Sequence, residues 1–173
     1  MITIEGRTLF NRGLSYDDVL LVPKYSDIES RSEIDITTDL GNNLSLTVPI
    51  LSSPMDTVSG AEMAAALSKI GGASILHRYN TVIEQAGMLS QATDNGATNI
   101  GIAVGVSGDY LERALCGVKL GATFVCVDVA HGHHIMMKEA IKVLRSELGP
   151  TVHIMAGNVA TLAGVNDLAD WGA

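Results

Sequence analysis

The residues most able to do chemistry fall in four short runs, each ending an apolar stretch. The richest is Phe124-Val125-Cys126-Val127-Asp128-Val129, followed by Ala130-His131-Gly132-His133-His134. In a strand, Phe124, Cys126 and Asp128 share one face and the three valines the other, so packed valines leave Asp128 at a strand end. A carboxylate there can accept hydrogen bonds from a ribose or an amide, or move a proton; the alternative is a structural carboxylate that caps the next loop or helix. His153-Ile154-Met155-Ala156-Gly157-Asn158 ends another run: Gly157 lets a ligand approach the backbone, and Asn158 offers a donor and an acceptor, unless it simply forms a turn. Ser52-Ser53-Pro54-Met55-Asp56 places hydroxyls and a polarizable thioether where a flat ring can stack. Arg78 can meet a phosphate or carboxylate with both guanidinium arms, or form a rim salt bridge.

Two further groups are less promising. His131, His133 and His134 form an H-x-H-H run, but a metal needs ligands from elsewhere and an outer shell, so no metal is expected. Cys116 lies in an apolar helix and Cys126 in mid-strand, with no neighbouring base, so both read as buried packing residues rather than nucleophiles.

The elements that must position these residues repeat. Short β-rich runs begin near Ile50, Ser74, Ile100, Val125 and Ile154, 24 to 29 residues apart, each followed by helical periodicity. Strand–helix alternation at this interval predicts βα units and a parallel sheet. Ser59-Gly60-Ala61-Glu62 and Thr81-Val82-Ile83-Glu84 fit capping boxes. Leu111, Ala114, Leu115 and Val118 mark the apolar face of a third helix, and Met137, Ile141, Leu144 and Leu148 that of a fourth. Met136 and Met137 read as core filler, and a fifth helix is expected from Thr161 towards Trp171. Before Pro49, Leu14 to Pro23 reads as a turn or short helix entering an extended stretch. Ser32 to Thr38 and Leu44 to Val48 alternate like strands, so residues 1–48 are expected to form an arm or hairpin plugging one end of the sheet.

Successive parallel units permit an open doubly wound sheet or a closed barrel. The first strand carries no G-x-G-x-x-G fingerprint, and polar residues gather at the C-terminal ends of many strands: Ser53 and Asp56, His77 and Arg78, Ser107, Asp128 and His131, Asn158. That distribution predicts an α/β (β/α)8 TIM barrel, with about five of eight units in residues 49–173 and one domain throughout.

Composition narrows the partners. Of 173 residues, 47% are hydrophobic and 17% charged, with mean hydropathy +0.28, which excludes a disordered chain. Net charge is −8 with no basic stripe, so nucleic acid is not an expected partner. No run is long and apolar enough for a membrane span, and two cysteines make no disulfide framework, so cytoplasm is the expected compartment.

In six places, in order, the sequence resembles the IMP dehydrogenase / GMP reductase family. These are Leu14 to Pro23, Ser30-Arg31-Ser32-Glu33, Pro49 to Val58, Gly71-Gly72 with Leu76-His77-Arg78, Ala103 to Val106, and Val127 to His133 with Ala156 to Thr161. The resemblance implies a (β/α)8 barrel binding a purine mononucleotide, IMP or GMP, and a nicotinamide cofactor, NAD or NADPH, at its C-terminal rim. It implies Ser53 and Met55 at the nucleotide, Met55 beneath the base, and Asp128 and Asn158 at the cofactor and the reacting purine. Arg78 and Gly157 are further candidates. It also implies a homotetramer and, in dehydrogenases, a monovalent cation such as potassium bound outside these residues. The Ser-Ser-Pro-Met-Asp-Thr-Val motif resembles the dehydrogenase, which oxidises IMP to XMP through a covalent cysteine. The Ser30-Arg31-Ser32-Glu33 run and the short second unit lean to the reductase, which deaminates GMP to IMP. Only 21 residues separate Arg78 from Ile100, which leaves no room for a CBS-pair insertion. The family's cysteine loop follows the sixth strand, beyond Ala173, so these residues alone are expected to be inactive. A half-barrel that assembles with another chain is the alternative outside enzymology. A Schiff-base lyase is disfavoured, since no expected strand holds a lysine.

Overall fold

The computed structural model describes residues 2–4, 7–10, 13–42 and 44–173. They divide into two compact units, one ending at Asp35 and one from Ile36 to Ala173. In the first, β1 (Ile2–Ile4) and β2 (Arg7–Phe10) pair antiparallel. Single 3-10 turns follow at Tyr16–Asp18 and Arg31–Glu33, the first leading into extended chain.

The second unit opens with a two-residue-per-strand hairpin, β3 (Thr38–Asp39) against β4 (Ser45–Leu46). Five parallel strands then pair in chain order: β5 (Leu51–Ser52), β6 (Ala73–Leu76), β7 (Ile100–Val104), β8 (Phe124–Asp128) and β9 (His153–Gly157). A helix follows each: α1 (Ala61–Lys69), α2 (Val82–Asp94), α3 (Tyr110–Lys119), α4 (Ile135–Leu148) and α5 (Leu162–Trp171). This is a five-strand parallel half-barrel, the first five units of a TIM-barrel architecture.

Strand alternation separates two cores. Ile100, Ile102, Val104, Val125, Val127 and Ile154 face the helices and pack with Leu89, Ala114, Ile141 and Leu144. Ala73, Ile75, Ala103, Phe124 and Cys126 face inward and pack with Leu44 and Leu46 of the β3–β4 hairpin. Neighbouring inward side chains must share limited width, and Gly101 is the position that yields. It pairs in register with Phe124, whose ring occupies the space a Cβ would take. Gly117 of α3 makes the same concession to the Ile102 side chain.

Several local expectations change. The Thr81–Glu84 box forms: the Thr81 amide and hydroxyl donate to Glu84 Oε2 at 2.7 and 2.9 Å, holding that carboxyl below its usual range. The Ser59–Glu62 box does not form, because Gly60 is the N-cap of α1 and makes no side-chain cap. Leu115 is exposed because α3 buries Ala114, Gly117 and Arg113 instead. Met136 is also exposed, whereas Met137 is fully buried. Of Ser32 to Thr38, only Thr38 is in a strand; Ser32 and Glu33 lie in the 3-10 turn.

Gly101→Ala is expected to lower stability by about 1–3 kcal/mol through overpacking against Phe124. Urea unfolding of Gly101→Ala beside a Gly101→Ala/Phe124→Leu double variant checks it: the second change should recover part of the loss. An unshifted midpoint in the single variant would contradict the layer packing.

Candidate active site

Parallel strands paired in register deliver their C-terminal ends to one rim, and the polar residues that follow converge there. A cleft of about 310 Å³ at that rim is lined by Ser52 at the end of β5, Ser53 and Pro54 just after it, Cys126 and Asp128 of β8, and Met155, Gly157 and Asn158 at β9. Its volume lies at the small end of those typical for ligand sites. Of the candidate residues, Ser53, Asp128, Gly157 and Asn158 line this cleft. Met55 stands on the same loop as Ser53 with half its surface exposed, and Arg78 reaches the site from behind.

Asp128 and Asn158 are held together by a continuation of the β8–β9 ladder. The Val129 amide donates to the Gly157 carbonyl at 3.0 Å, and the Asn158 amide donates to the Val129 carbonyl at 2.8 Å. The Gly132 amide closes the following loop onto the Asn158 carbonyl at 2.7 Å. With its backbone so fixed, Asn158 Nδ2 donates to Asp128 Oδ1 and to the Val129 carbonyl, both at 3.1 Å. Both amide protons are thereby used. The expectation that Asn158 offers a donor is therefore corrected: the pair presents acceptors only, the Asn158 side-chain oxygen and the second Asp128 oxygen. Such a pair suits vicinal hydroxyls or a carboxamide NH2 and repels an anion.

Among the described residues Arg78 makes no rim salt bridge, and its Nε is buried without a hydrogen-bond partner. Its Nη2 donates to the Asp128 carbonyl at 3.2 Å, and its guanidinium packs against the backbone of Gly105. It thus ties the ends of β6, β7 and β8 together. The second barrel loop is also anchored from below by Arg113, which is 5% exposed. Arg113 donates to the Asn80 backbone carbonyl, to the Asn80 side chain at 3.2 Å and to Gln85 Oε1 at 3.3 Å, and pairs with Asp109 at 2.9 Å. Gln85 in turn donates to the carbonyls of His77 and Ala103 at 3.1 and 2.9 Å. Hydrogen bonding by Arg113 holds the Asp109 carboxyl below its usual range.

The histidines serve the loops. His133 Nε2 lies 2.7 Å from Asp167 Oδ2 of α5, and His134 caps α4 by accepting the Met136 amide at Nδ1. Among the described residues, no three His, Cys, Asp or Glu side chains gather as a metal set. Cys126 is buried as expected, and burial, with the Asp128 charge nearby, pushes its thiol up to about 12. Cys116 is only partly buried, because the exposed side of α3 lies next to it.

Sequence reasoning missed a chain of buried hydroxyls beneath the Ser53 loop. Ser52 and Ser74, paired in register, have their Oγ atoms 2.6 Å apart on the helix side of the sheet, and Ser59 Oγ lies 2.6 Å from Ser52 Oγ. The available signal was three serines within or beside apolar runs, none of which needed a polar side chain for its strand or helix.

A rim of polar residues at the C-terminal ends of barrel strands defines the class: a (β/α)-barrel protein with a ligand site at that rim. Within this class, the chain belongs to the IMP dehydrogenase / GMP reductase family, whose domain model matches residues 13–173. It is 45% identical over 100 residues to inosine-5'-monophosphate dehydrogenase of Nitrosopumilus maritimus, covering 58% of this chain and 21% of that protein. It is 28% identical over 210 residues to the inosine-5'-monophosphate dehydrogenase of Cryptosporidium parvum, covering 97% and 51%. It is 33% identical over 167 residues to the GMP reductase of Vibrio atlanticus, covering 92% and 48%. In these last two alignments the chain spans about half the length of the relative.

The Cys126 environment predicts a pH effect. The folded thiol stays protonated up to about 12 while the unfolded one ionises near its ordinary value, so its contribution is complete below that value and is lost as pH rises towards 12. Unfolding midpoints from pH 8 to 11 should fall more steeply in the native sequence than in Cys126→Ala. Parallel slopes would contradict the assignment.

Proposed function

We propose that these residues form the ligand-facing first five units of an NAD-dependent IMP dehydrogenase, which oxidises IMP to XMP. The observation that carries this is the single cleft joining Ser53 on the β5 loop to the acceptor pair Asp128–Asn158 across the rim. The Ser-Ser-Pro-Met-Asp-Thr-Val run and the 45% identity to a dehydrogenase support the oxidative direction.

The residue chemistry fits the two ligands. In this reading the Ser53 hydroxyl bonds the nucleotide and Met55, exposed at the loop tip, packs against the purine face. Asp128 and Asn158 accept from hydroxyl or carboxamide donors of the dinucleotide, their mutual bond fixing both side chains before it arrives. Gly157 leaves the cleft floor open for close approach. A nicotinamide bound there supplies the hydride acceptor. Cys126 does not serve as nucleophile, since its thiol is buried and protonated at neutral pH. The covalent step thus falls to a cysteine outside residues 1–173, and these residues bind and orient.

One observation favours a GMP reductase using NADPH as the second reading. Relatives with that name align with this chain over 159 to 175 residues, against 209 or 210 for two of the dehydrogenases, so the reductases match its short second unit without long gaps.

Calorimetric titration of the full chain separates the readings. IMP should bind saturably and more tightly than GMP, Ser53→Ala should weaken it by about tenfold (~1.4 kcal/mol), and Asp128→Ala should weaken NAD while sparing IMP. Tighter binding of GMP would favour the reductase, and saturable binding of neither would overturn both. With IMP and NAD together, the chain alone should form no NADH. Turnover would contradict the placement of the nucleophile.

A further inference from the structure

We infer that Ser59 is the positioning residue that holds the Ser53–Met55 loop in its ligand-facing shape. This rests on the proposed nucleotide role of that loop. Ser59 is completely buried and grips the loop at both ends. Its amide donates to the Met55 carbonyl at 2.9 Å, beside the Val58 amide at 3.0 Å. Its hydroxyl donates to the Ser53 carbonyl, which also accepts the Met55 amide at 2.8 Å.

The alternative use of this hydroxyl is well defined and is not taken. Ser59 stands three residues before Glu62, the spacing that caps a helix, yet Gly60 is the N-cap of α1. A serine released from capping and turned back onto its own loop leaves the first amides of α1 without that partner, at a cost to the helix end. What is gained is a loop closed around a buried hydroxyl. That hydroxyl has one proton, shared between the Ser53 carbonyl and Ser52 Oγ, and the chain continues to Ser74. Ser59 thus ties the loop carrying Ser53 and Met55 to Ser52 of β5 instead of capping α1, and Ser74 lies one link further from that loop. Without the Ser59 hydroxyl, the Ser53 carbonyl keeps only the Met55 amide.

Ser74→Ala is the matched control: it removes a buried hydroxyl from the far end of the same chain and touches no loop carbonyl. Two readouts are taken on the full chain, IMP affinity by calorimetry and amide hydrogen exchange at Met55 and Val58 by NMR. Ser59→Ala should raise the IMP Kd at least fivefold and speed exchange at both amides at least tenfold. Ser74→Ala should lower the unfolding midpoint but leave both readouts within twofold of the native sequence. Ser59→Thr, which keeps the hydroxyl, should return exchange towards native. If Ser59→Ala does not fold, Ser59→Cys, a weak donor, takes its place with the same expectations. Equal effects of the Ser59 and Ser74 variants, or none from Ser59, would overturn the inference. If the native chain binds no IMP, the proposed function fails, and the exchange comparison alone decides the role of Ser59.

Discussion

The site depends on one constraint: the β8–β9 ladder does not stop where the strands do. Reciprocal bonds between Val129 and the Gly157–Asn158 segment carry the pairing one step past Asp128. That step brings Asp128 and Asn158 side by side and gives the Asn158 amide two acceptors for its two protons. A half-buried carboxylate beside an exposed carboxamide would otherwise sample several rotamers, and ordering them on ligand binding would cost entropy. Here the backbone sets the Asn158 orientation before any ligand is present. The acceptor-only character of the Asp128–Asn158 pair is therefore a property of sheet register.

The rest of the half-barrel maintains that register. Phe124 fills the inner layer beside Gly101, and Leu44 and Leu46 of the β3–β4 hairpin pack with that layer. Arg78 and Arg113 each donate to a main-chain carbonyl, and Arg113 also bonds the side chains of Asn80, Gln85 and Asp109, fastening the loops between β6 and β8. On the β5 side the buried Ser59 does the equivalent task with a neutral hydroxyl, bonded to the Ser53 carbonyl and to Ser52 Oγ. Arg113 and Ser59 are buried with their polar groups paired at the loop ends, which is the condition for burying them without a large penalty, whereas Arg78 Nε is buried without a hydrogen-bond partner.

Much of this was legible in the residues. Apolar runs of four or five between Gly-, Thr- and Asn-rich joins located β6 to β9 within a residue or two, because a buried parallel strand needs a continuous apolar stretch. Ser53, Asp128, Gly157 and Asn158 stood out because a polar residue closing such a run must face the rim. Other features depend on tertiary contacts that no local pattern encodes. Ser59 and Thr81 begin equivalent S/T-x-x-E sequences, and only the presence of the Ser53 carbonyl beside Ser59 diverts the first from capping. Periodicity located the apolar faces of α3 and α4 but not their widths, so Leu115 and Met136 fell outside them. Asn158 reads as donor and acceptor in sequence, and its donors are consumed only once β8 lies beside β9.

The central claim of the proposed function is that one cleft at the strand ends receives the nucleotide at Ser53 and Met55 on one side and the dinucleotide at Asp128 and Asn158 on the other. Mapping of IMP-induced amide and methionine-methyl shifts by NMR on the full chain, first alone and then with NAD, tests it most directly. The account predicts that IMP shifts Ser53 and the Met55 methyl, that NAD adds shifts at Asp128, Gly157 and Asn158, and that Thr151 and Val152 at the opposite end stay unchanged. Shifts centred on the hairpin end or on the outer faces of the helices, with the Met55 methyl unmoved, would contradict it.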